Sequence, residues 1–189
     1  MRKLFAFLRR SHTAGAPTGT LQAFLMTTVV GLGVAALPQD ASARNIVSFS
    51  PHVAPGTVVI SAGQRRLFYV VDTGVAISYP VAVPKRGKEW SGATSIEGKY
   101  VNPDWVPPAV VKADHPELPN FIRGGSPRNP MGVRALTLSS GEVAIHGTTQ
   151  RMRASIGTAA SYGCIRMLNE DVSDLYDRVD VGSPVMMTR

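Results

Sequence analysis

The chain has 189 residues, with 20 Lys and Arg against 13 Asp and Glu, and it contains one cysteine. This length suits a single domain with its own core. A lone cysteine excludes an internal disulfide, and no Cys-x-x-Cys or His-x-x-x-His pair is present to bind zinc. The basic residues are scattered and lack interleaved aromatic residues, which argues against nucleic acid as a partner.

Residues 1–43 have the composition of a secretory signal peptide. Four basic residues lie within positions 2–10, an uncharged run of 17 residues covers positions 21–37, and Ala41-Ser42-Ala43 provides small residues at a cleavage site. This order predicts an exported protein of the periplasm or cell envelope. The alternative is an uncleaved anchor helix, which would be short for a membrane span.

Residues 44–56 are interpreted as a flexible lead-in, because they are polar, contain prolines and show no periodicity. Without residues 1–43 the formal net charge falls from +7 to +4. This modest positive excess suits an anionic polymer as partner.

From residue 57 onward the pattern predicts a mostly β domain that extends to residue 189. Short runs rich in β-branched and aromatic residues alternate with turn sequences, which favours a β-sandwich or open barrel. The predicted strands cover residues 57–61, 66–71, 75–83, 96–101, 135–138, 142–146 and 184–188.

Two segments depart from this strand pattern. Residues 103–119 contain five prolines and cannot form a long helix, so they are either an irregular surface excursion or a flap over a cleft. After the cysteine, apolar residues at helical spacing predict one helix, with Asn169 as its N-cap and two carboxylates in its first turn.

The single cysteine, Cys164, follows Ser161-Tyr162-Gly163, which is a turn sequence rather than a core strand. His146 lies 18 positions upstream at the end of an apolar run. A histidine near a thiol acts as its base, and the amides of Gly163 and Cys164 are predicted to bind an oxyanion. The carbonyl of Gly147 is the predicted acceptor that orients the imidazole. The alternative at this point is an inert β-domain with a structural cysteine.

Several ordered motifs resemble the L,D-transpeptidase catalytic domain, also called YkuD-like. They are His146-Gly147-Thr148, Ser155-Ile156-Gly157, the segment Ser161-Tyr162-Gly163-Cys164-Ile165-Arg166-Met167, the helix and strand that follow, Asn129-Pro130-Met131-Gly132, and the region from Trp90 to Gly98. The resemblance covers roughly residues 57–188, and several motifs in register are more specific than any one of them.

The resemblance implies a cysteine acyltransferase that acts on peptidoglycan stem peptides without a cofactor or metal. Cys164 would attack a stem tetrapeptide, D-alanine would leave, and the thioester would pass to an amine to give 3→3 cross-links. Arg166, Tyr162, Ser161 and Asn129 are the predicted substrate-binding residues, with Arg166 meeting a carboxylate. Many family members have a histidine where this chain has Tyr162, which raises the question of a different substrate or rate.

Two alternative functions stay open at this level. A hydrolase with the same site would cleave the same bonds with water as acceptor, since acceptor choice depends on the shape of the cleft and on water exclusion. A wall-binding β-domain with an unreactive thiol belongs to a different class. The resemblance further implies outer-membrane proteins among the acyl acceptors, and the expected assembly state is a monomer.

Overall fold

A computed structural model describes residues 44–189, and the signal-peptide prediction for residues 1–43 lies outside these residues. The prediction of a mostly β domain is confirmed. The strands are β1 Asn45–Ser48, β2 Val58–Ser61, β3 Arg66–Asp72, β4 Val75–Pro80, β5 Val83–Pro84, β6 Gly92–Val101, β7 Arg134–Leu138, β8 Ala144–His146, β9 Ala159–Ser161, β10 Ile165–Arg166 and β11 Pro184–Thr188. The helices are α1 Ala109–Asp114, a 3-10 helix Gln150–Ser155, and α2 Asn169–Arg178.

Nine strands form one open mixed sheet in the order β1-β4-β3-β2-β11-β6-β7-β8-β10. Most neighbours are antiparallel, but β2 pairs with β11 and β8 pairs with β10 in parallel. Parallel neighbours need a crossover of a dozen or more residues, and the segment between β8 and β10 supplies it. The remaining strands, β5 and β9, pair in parallel as a small separate sheet.

The main hydrophobic core lies between the sheet and α2. The helix packs against β7 and β8, and its residues Val172 and Leu175 are fully buried. They meet Ile60, Leu136 and Ile145 of the strands in one buried cluster. The helical spacing of apolar residues therefore predicted the correct face of α2.

The predicted flexible lead-in is wrong for its first part, because Asn45–Ser48 forms the edge strand β1 on β4. The reason is a second apolar cluster, on Val59, Phe68, Val70 and Ala76. Three half-buried side chains of the lead-in, those of Val47, Phe49 and Val53, pack against this cluster. The segment thus covers apolar strand residues that would otherwise meet water.

A short helix in the proline-rich segment was not predicted, although it agrees with the absence of a long one, and the predicted cap of α2 needs correction. The proline-rich segment holds a short helix, α1, which starts directly after Pro107-Pro108 and ends two residues before Pro116. Prolines suit the start of a helix but not its interior, so they bound this helix on both sides. In α2 the cap position is Leu168 and not Asn169, whose side chain makes tertiary contacts instead. Among residues 44–189 no helix is both long and apolar enough to cross a membrane.

Truncation of Phe49 tests whether the lead-in belongs to the folded domain. Its ring lies 5.0 Å from that of Phe68, centroid to centroid. Phe49→Ala is expected to lower the free energy of unfolding by about 1–3 kcal/mol, because a half-buried aromatic contact is lost. Ile46, which is 77% exposed, is the matched control. Its change to Ala should alter that free energy by less than about 0.5 kcal/mol in urea unfolding. If both substitutions change the free energy of unfolding by an equal, near-zero amount, the interpretation of residues 44–56 as a flexible lead-in would be correct.

Candidate active site

The pairing of β8 with β10 creates the site. Ile165 pairs with Ile145, and Arg166 pairs with His146. Because side chains alternate along a strand, His146 lies on the same face as Arg166, and the residue before β10, Cys164, lies on that face as well. Two segments that are far apart in sequence thereby bring an imidazole, a thiol and a guanidinium to one surface.

This surface is one wall of a cavity of about 750 Å³. His146, Cys164 and Arg166 line it together with Ser161 and Tyr162. A largely apolar part of the lining comes from residues 105–122, which include most of the proline-rich segment. Its residues are Trp105, Pro108, Val110, Val111, Leu118 and Ile122. The flap interpretation of residues 103–119 agrees with this position.

His146 is buried and is neutral near neutral pH. Its Nδ1 lies 2.8 Å from the carbonyl oxygen of Gly147. This contact assigns the Nδ1 proton as donor and leaves Nε2 free to accept one. Burial, followed by the nearby charge of Arg166, lowers the pKa of His146 to about 4, although the backbone carbonyls of Gly147 and Pro130 oppose the shift. The imidazole is therefore available as a base.

Cys164 is half-buried and carries its proton at neutral pH. Burial raises the pKa of the thiol, while a backbone hydrogen bond from Ala144 and the charge of Arg166 act in the opposite direction. Among residues 44–189, the structure shows no hydrogen bond between the Cys164 thiol and His146, although both side chains line the cavity. The resting pair is thus a neutral thiol and a neutral imidazole, and bound substrate must bring the two into contact.

The turn before Cys164 is held by three contacts. Gly163 has a φ of +135°, which side-chain-bearing residues rarely adopt. Its carbonyl accepts a hydrogen bond from Trp90 Nε1 at 2.9 Å. The hydroxyl of Ser161 donates to the carbonyl of Cys164 and accepts the N–H of Gly163 at 3.3 Å. Ser161 therefore lines the cavity and also braces the turn.

These contacts correct one of the two predicted oxyanion donors. The Gly163 N–H is directed at the Ser161 hydroxyl and is not free. The Cys164 N–H makes no hydrogen bond within residues 44–189. In this conformation Cys164 alone offers a backbone donor at the nucleophile.

Arg166 is a buried cation without an acidic partner in the described part of the chain. Its Nη1 donates to the Ser155 hydroxyl at 2.7 Å, and its Nε has no hydrogen-bond partner. Burial lowers the pKa of this guanidinium, and the adjacent Cys164 opposes that shift. A buried and unpaired charge is costly, so this position favours an anionic ligand or a developing negative charge.

Tyr162 contacts residues that the sequence did not indicate as part of the site. Its hydroxyl donates to Asp114 Oδ2 at 2.7 Å. The ammonium of Lys85 lies 3.6 Å from the centre of its ring. Asp114 and Lys85 are 48 and 77 positions away in the chain, and no periodicity or motif connects them with Tyr162.

Asn129 was predicted to bind substrate, and the structure places it elsewhere. Its side chain is 1% exposed and does not line the cavity. Its Nδ2 donates to the carbonyl of Pro103 at 2.8 Å, and its Oδ1 accepts the N–H of Met131 at 2.9 Å. A side chain buried and bonded in this way stabilises the loop and is not available to a ligand in the cavity.

The predicted N-cap, Asn169, instead supports the loop after His146. Its Oδ1 accepts the N–H of Thr148 at 2.9 Å and its Nδ2 donates to the Thr148 carbonyl at 3.0 Å. A side chain on Gly147 would meet the same Oδ1 at 2.2 Å, so glycine is required there by close approach. In addition, the Met167 N–H donates to the His146 carbonyl at 2.8 Å. These contacts hold the base relative to α2.

The described residues contain no group of three or more His, Cys, Asp or Glu side chains suited to a metal ion. The arrangement instead has the parts of nucleophilic catalysis by a thiol, which are a base, an unpaired cation and a backbone donor.

Comparison with known proteins agrees with this arrangement. The family model of the L,D-transpeptidase catalytic domain (YkuD) matches residues 55–187. This chain belongs to that family. It is 34% identical over 160 residues to a probable L,D-transpeptidase, YbiS, of Escherichia coli, which corresponds to 79% of this chain and 50% of YbiS. The chain thus spans about half the length of this curated relative.

Two solved structures show the same fold. An L,D-transpeptidase from Mycobacterium smegmatis matches with a TM-score of 0.56 at 20% identity, over 70% of this chain and 58% of that one. A Brucella melitensis protein, described as a probable carnitine operon oxidoreductase, matches with a TM-score of 0.52 at 38% identity, over 77% of this chain and 92% of that one. The oxidoreductase activity in that description refers to the Brucella melitensis protein and is not transferred to this chain.

The depressed pKa of His146 predicts a specific pH dependence of stability. The folded pKa is about 4 and the ordinary value is 6.5, so the unfolded chain binds a proton between these values that the folded chain does not. The stability from this group is complete above about pH 6.5 and is lost as the pH falls towards 4, by about 2–3 kcal/mol. Asp171 acts with the opposite sign, because burial raises its pKa to about 6.

Comparison of wild type with His146→Gln separates the pH-dependent stability due to His146 from that due to Asp171, because the variant keeps Asp171. The difference in the free energy of unfolding between wild type and variant should grow in favour of wild type from pH 4.5 to pH 7. The measurement is urea unfolding at both values. A difference that does not change with pH would contradict the buried, neutral imidazole.

The contacts of Asn169 predict a positioning role. Asn169→Ala removes three hydrogen bonds to the loops beside His146, including a longer one from the Val133 N–H at 3.4 Å. We expect a loss of about 1–3 kcal/mol in the free energy of unfolding. We also expect slower reaction of Cys164 with substrate, because the base is less well held. Serine caps a helix as well as asparagine does. If Asn169 acts by holding the loops beside His146, Asn169→Ser should restore neither the free energy of unfolding nor the reaction rate of Cys164.

Proposed function

We propose that this protein is a peptidoglycan L,D-transpeptidase that uses Cys164 as nucleophile and His146 as base. The observation that carries the proposal is the β8–β10 pairing, which presents a thiol, a neutral imidazole and an unpaired guanidinium to one cavity. Membership in the L,D-transpeptidase family supports the same activity. The substrate class, a stem tetrapeptide ending in D-alanine, comes from the family resemblance.

In the first half-reaction the thiol sulfur attacks the carbonyl carbon of the third stem residue. His146 Nε2 takes the thiol proton as the carbon–sulfur bond forms, which suits an imidazole that is neutral above pH 4. The developing oxyanion accepts a hydrogen bond from the Cys164 N–H. The bond to D-alanine then breaks, and the imidazolium returns its proton to the leaving amine. The product is a thioester on Cys164.

In the second half-reaction an amine of the acceptor attacks the thioester carbonyl. His146 removes a proton from the attacking nitrogen, and the thiol leaves with that proton when the tetrahedral intermediate collapses. The acceptor thus gains an amide bond and the enzyme returns to its starting state. A diaminopimelate side chain of a neighbouring stem gives a cross-link, and a protein amine gives attachment to the wall.

The positive charge of Arg166 acts on both the substrate and the Cys164 thiolate. Arg166 lines the cavity without an acidic partner among the described residues, and in this proposal its guanidinium donates hydrogen bonds to a carboxylate of the donor peptide. Its positive charge also favours the thiolate of Cys164 and disfavours protonation of His146. The first effect favours loss of the thiol proton, whereas the second opposes its uptake by the imidazole, so what Arg166 stabilises is the negative charge on sulfur.

The cavity rim supports a substrate with several carboxylates. Arg128 and Arg151 line the cavity, and the guanidinium of neither residue has an ion pair or hydrogen bond within residues 44–189. In contrast, Arg153 and Arg178, which lie outside the cavity, are paired with Glu170 and Asp174. Cations left unpaired around a cavity attract anionic ligands and orient them.

Export to the cell envelope is part of this proposal. The substrate lies outside the cytoplasm, and residues 1–43 have the order of basic, apolar and small residues that export requires. We further propose that the enzyme acts as a monomer, with stem peptides as principal donors and outer-membrane proteins as additional acceptors.

The test is mass spectrometry of the protein after incubation with a disaccharide-tetrapeptide that ends in D-alanine. We expect an adduct on Cys164 equal to the donor minus D-alanine, followed by a dimeric muropeptide. Cys164→Ala should form no adduct while its circular dichroism is unchanged. His146→Ala should form the adduct about 100-fold or more slowly near neutral pH, as for loss of a general base.

Other outcomes lead to different functions. An adduct that decays only to the tripeptide would indicate a hydrolase. A thiol that forms no adduct with the tetrapeptide or with a carbapenem, in a protein that still binds sacculi, would indicate a wall-binding domain. An active Cys164→Ala protein would refute the mechanism.

A further inference from the structure

Three side chains from separate parts of the chain meet beside the cavity, which Tyr162 lines, and we call them the latch. They are Asp114 at the end of α1, Tyr162 in the turn before the nucleophile, and Lys85 just after β5. The Tyr162 hydroxyl donates to Asp114 at 2.7 Å, Lys85 Nζ lies 3.4 Å from the same carboxylate, and Lys85 covers the Tyr162 ring at 3.6 Å. The Tyr162 hydroxyl, followed by Lys85, lowers the pKa of Asp114 and keeps it ionised.

Outside the latch, α1 has few specific contacts with the rest of the described domain. One is at its C-cap, where the His115 ring meets the Tyr162 ring edge-on, with 6.2 Å between the centroids. The helix has six residues, and none of them is buried. The Lys112 side chain donates a hydrogen bond to the Leu118 carbonyl, which lies in the same segment and so does not tie α1 to the rest of the domain. The pairing of Trp105 with Ile122 closes the segment on itself. A short helix without buried residues opens easily unless specific contacts fix its position.

The helix held in this way carries part of the apolar cavity wall. Pro108, Val110 and Val111 face the same space as Cys164. If α1 moves away, this side of the cavity opens to solvent. Water would then reach a thioester on Cys164, and an acyl group that meets water is hydrolysed rather than transferred.

We propose that the latch determines acceptor choice: Asp114 and Lys85, acting through Tyr162, hold the α1 wall in place so that the acyl group passes to an amine and not to water. Asp114 and Lys85 are positioning residues. This inference rests on the proposed function, since it concerns the fate of the thioester. It also gives Tyr162 a role where many family members have histidine, because the phenol hydroxyl is the group that reaches Asp114.

The contacts of the latch are exposed, which allows a clean experiment. Lys85 and Asp114 are partly or largely solvent-accessible. Exposed ion pairs and hydrogen bonds contribute little to global stability because water and salt screen them. Variants of the latch are therefore expected to stay folded while α1 becomes mobile.

The experiment measures how the thioester partitions between two products, the cross-linked dimer and the hydrolysed tripeptide, at a fixed acceptor concentration. Both products come from the same acyl-enzyme, so their ratio does not depend on the folded fraction or on the acylation rate. Tyr162→Phe keeps the ring beneath Lys85 and removes the hydroxyl. Asp114→Ala removes the acceptor of the same hydrogen bond. Each should raise the tripeptide-to-dimer ratio by about two- to tenfold, the range for loss of one hydrogen bond.

Three further variants give the matched controls. The double variant should show no larger change than the greater single change, because both substitutions break one bond. Asp114→Asn keeps an oxygen that accepts the Tyr162 hydrogen bond and should lie closer to wild type. Asp177→Ala replaces an exposed aspartate of α2 outside the latch and should match wild type. Alkylation of Cys164 by a bulky maleimide, relative to iodoacetamide, should increase in the two single variants as the cavity opens.

The partition ratio decides the proposal. Ratios equal to wild type in both single variants would overturn the latch, even if the thiol became more accessible. A wild-type protein that forms no thioester would overturn the proposed function and the latch together. A wild type that transfers normally, with latch variants of unchanged ratio, would overturn the latch alone.

Discussion

The parallel pairing of β8 with β10 is the interaction on which the site depends. Two short strands, joined by an 18-residue crossover, bring His146 beside Arg166 and place Cys164 one residue before the ladder begins. Each strand is too short to be stable alone, so the arrangement relies on its surroundings. Those are the core against α2, the Asn169 contacts with the loop after His146, and the bracing of the nucleophile turn by Ser161 and Trp90.

Burial then determines the chemistry of these residues. Removal from water lowers the pKa of the imidazole and raises that of the thiol, so neither is charged at rest. The fixed charge at the centre is Arg166, which has no acidic partner among residues 44–189. In a site of this kind, the fixed positive charge is available to stabilise negative charge that develops during the proposed reaction, first on sulfur and then on the carbonyl oxygen. The fold maintains this unfavourable charge through the stability of the surrounding sheet.

The sequence predicted those features that depend on local patterns. Alternating apolar residues located most strands, helical spacing located α2, and a glycine turn before a lone cysteine indicated the residue that we propose as nucleophile. The errors share one cause, which is competition from tertiary contacts. Asn169 satisfies the local rule for a cap but is drawn into contacts with Thr148, and Asn129 is turned inward by backbone carbonyls. The role of β1 depends on apolar residues of distant strands, and no local signal connects Asp114 with Tyr162 across 48 positions.

The positions of the tryptophans have a practical consequence for optical studies of this protein. The chain has two, and both lie at the catalytic end of the sheet. Trp90 donates to the carbonyl next to the nucleophile, and Trp105 lines the cavity wall. Intrinsic fluorescence therefore monitors the surroundings of Cys164 and, through Trp90, the main core cluster, whereas neither tryptophan packs against the second apolar cluster beside β1. An emission change during denaturation would report loss of the active centre, and circular dichroism would be needed to learn whether the rest of the sheet had unfolded with it.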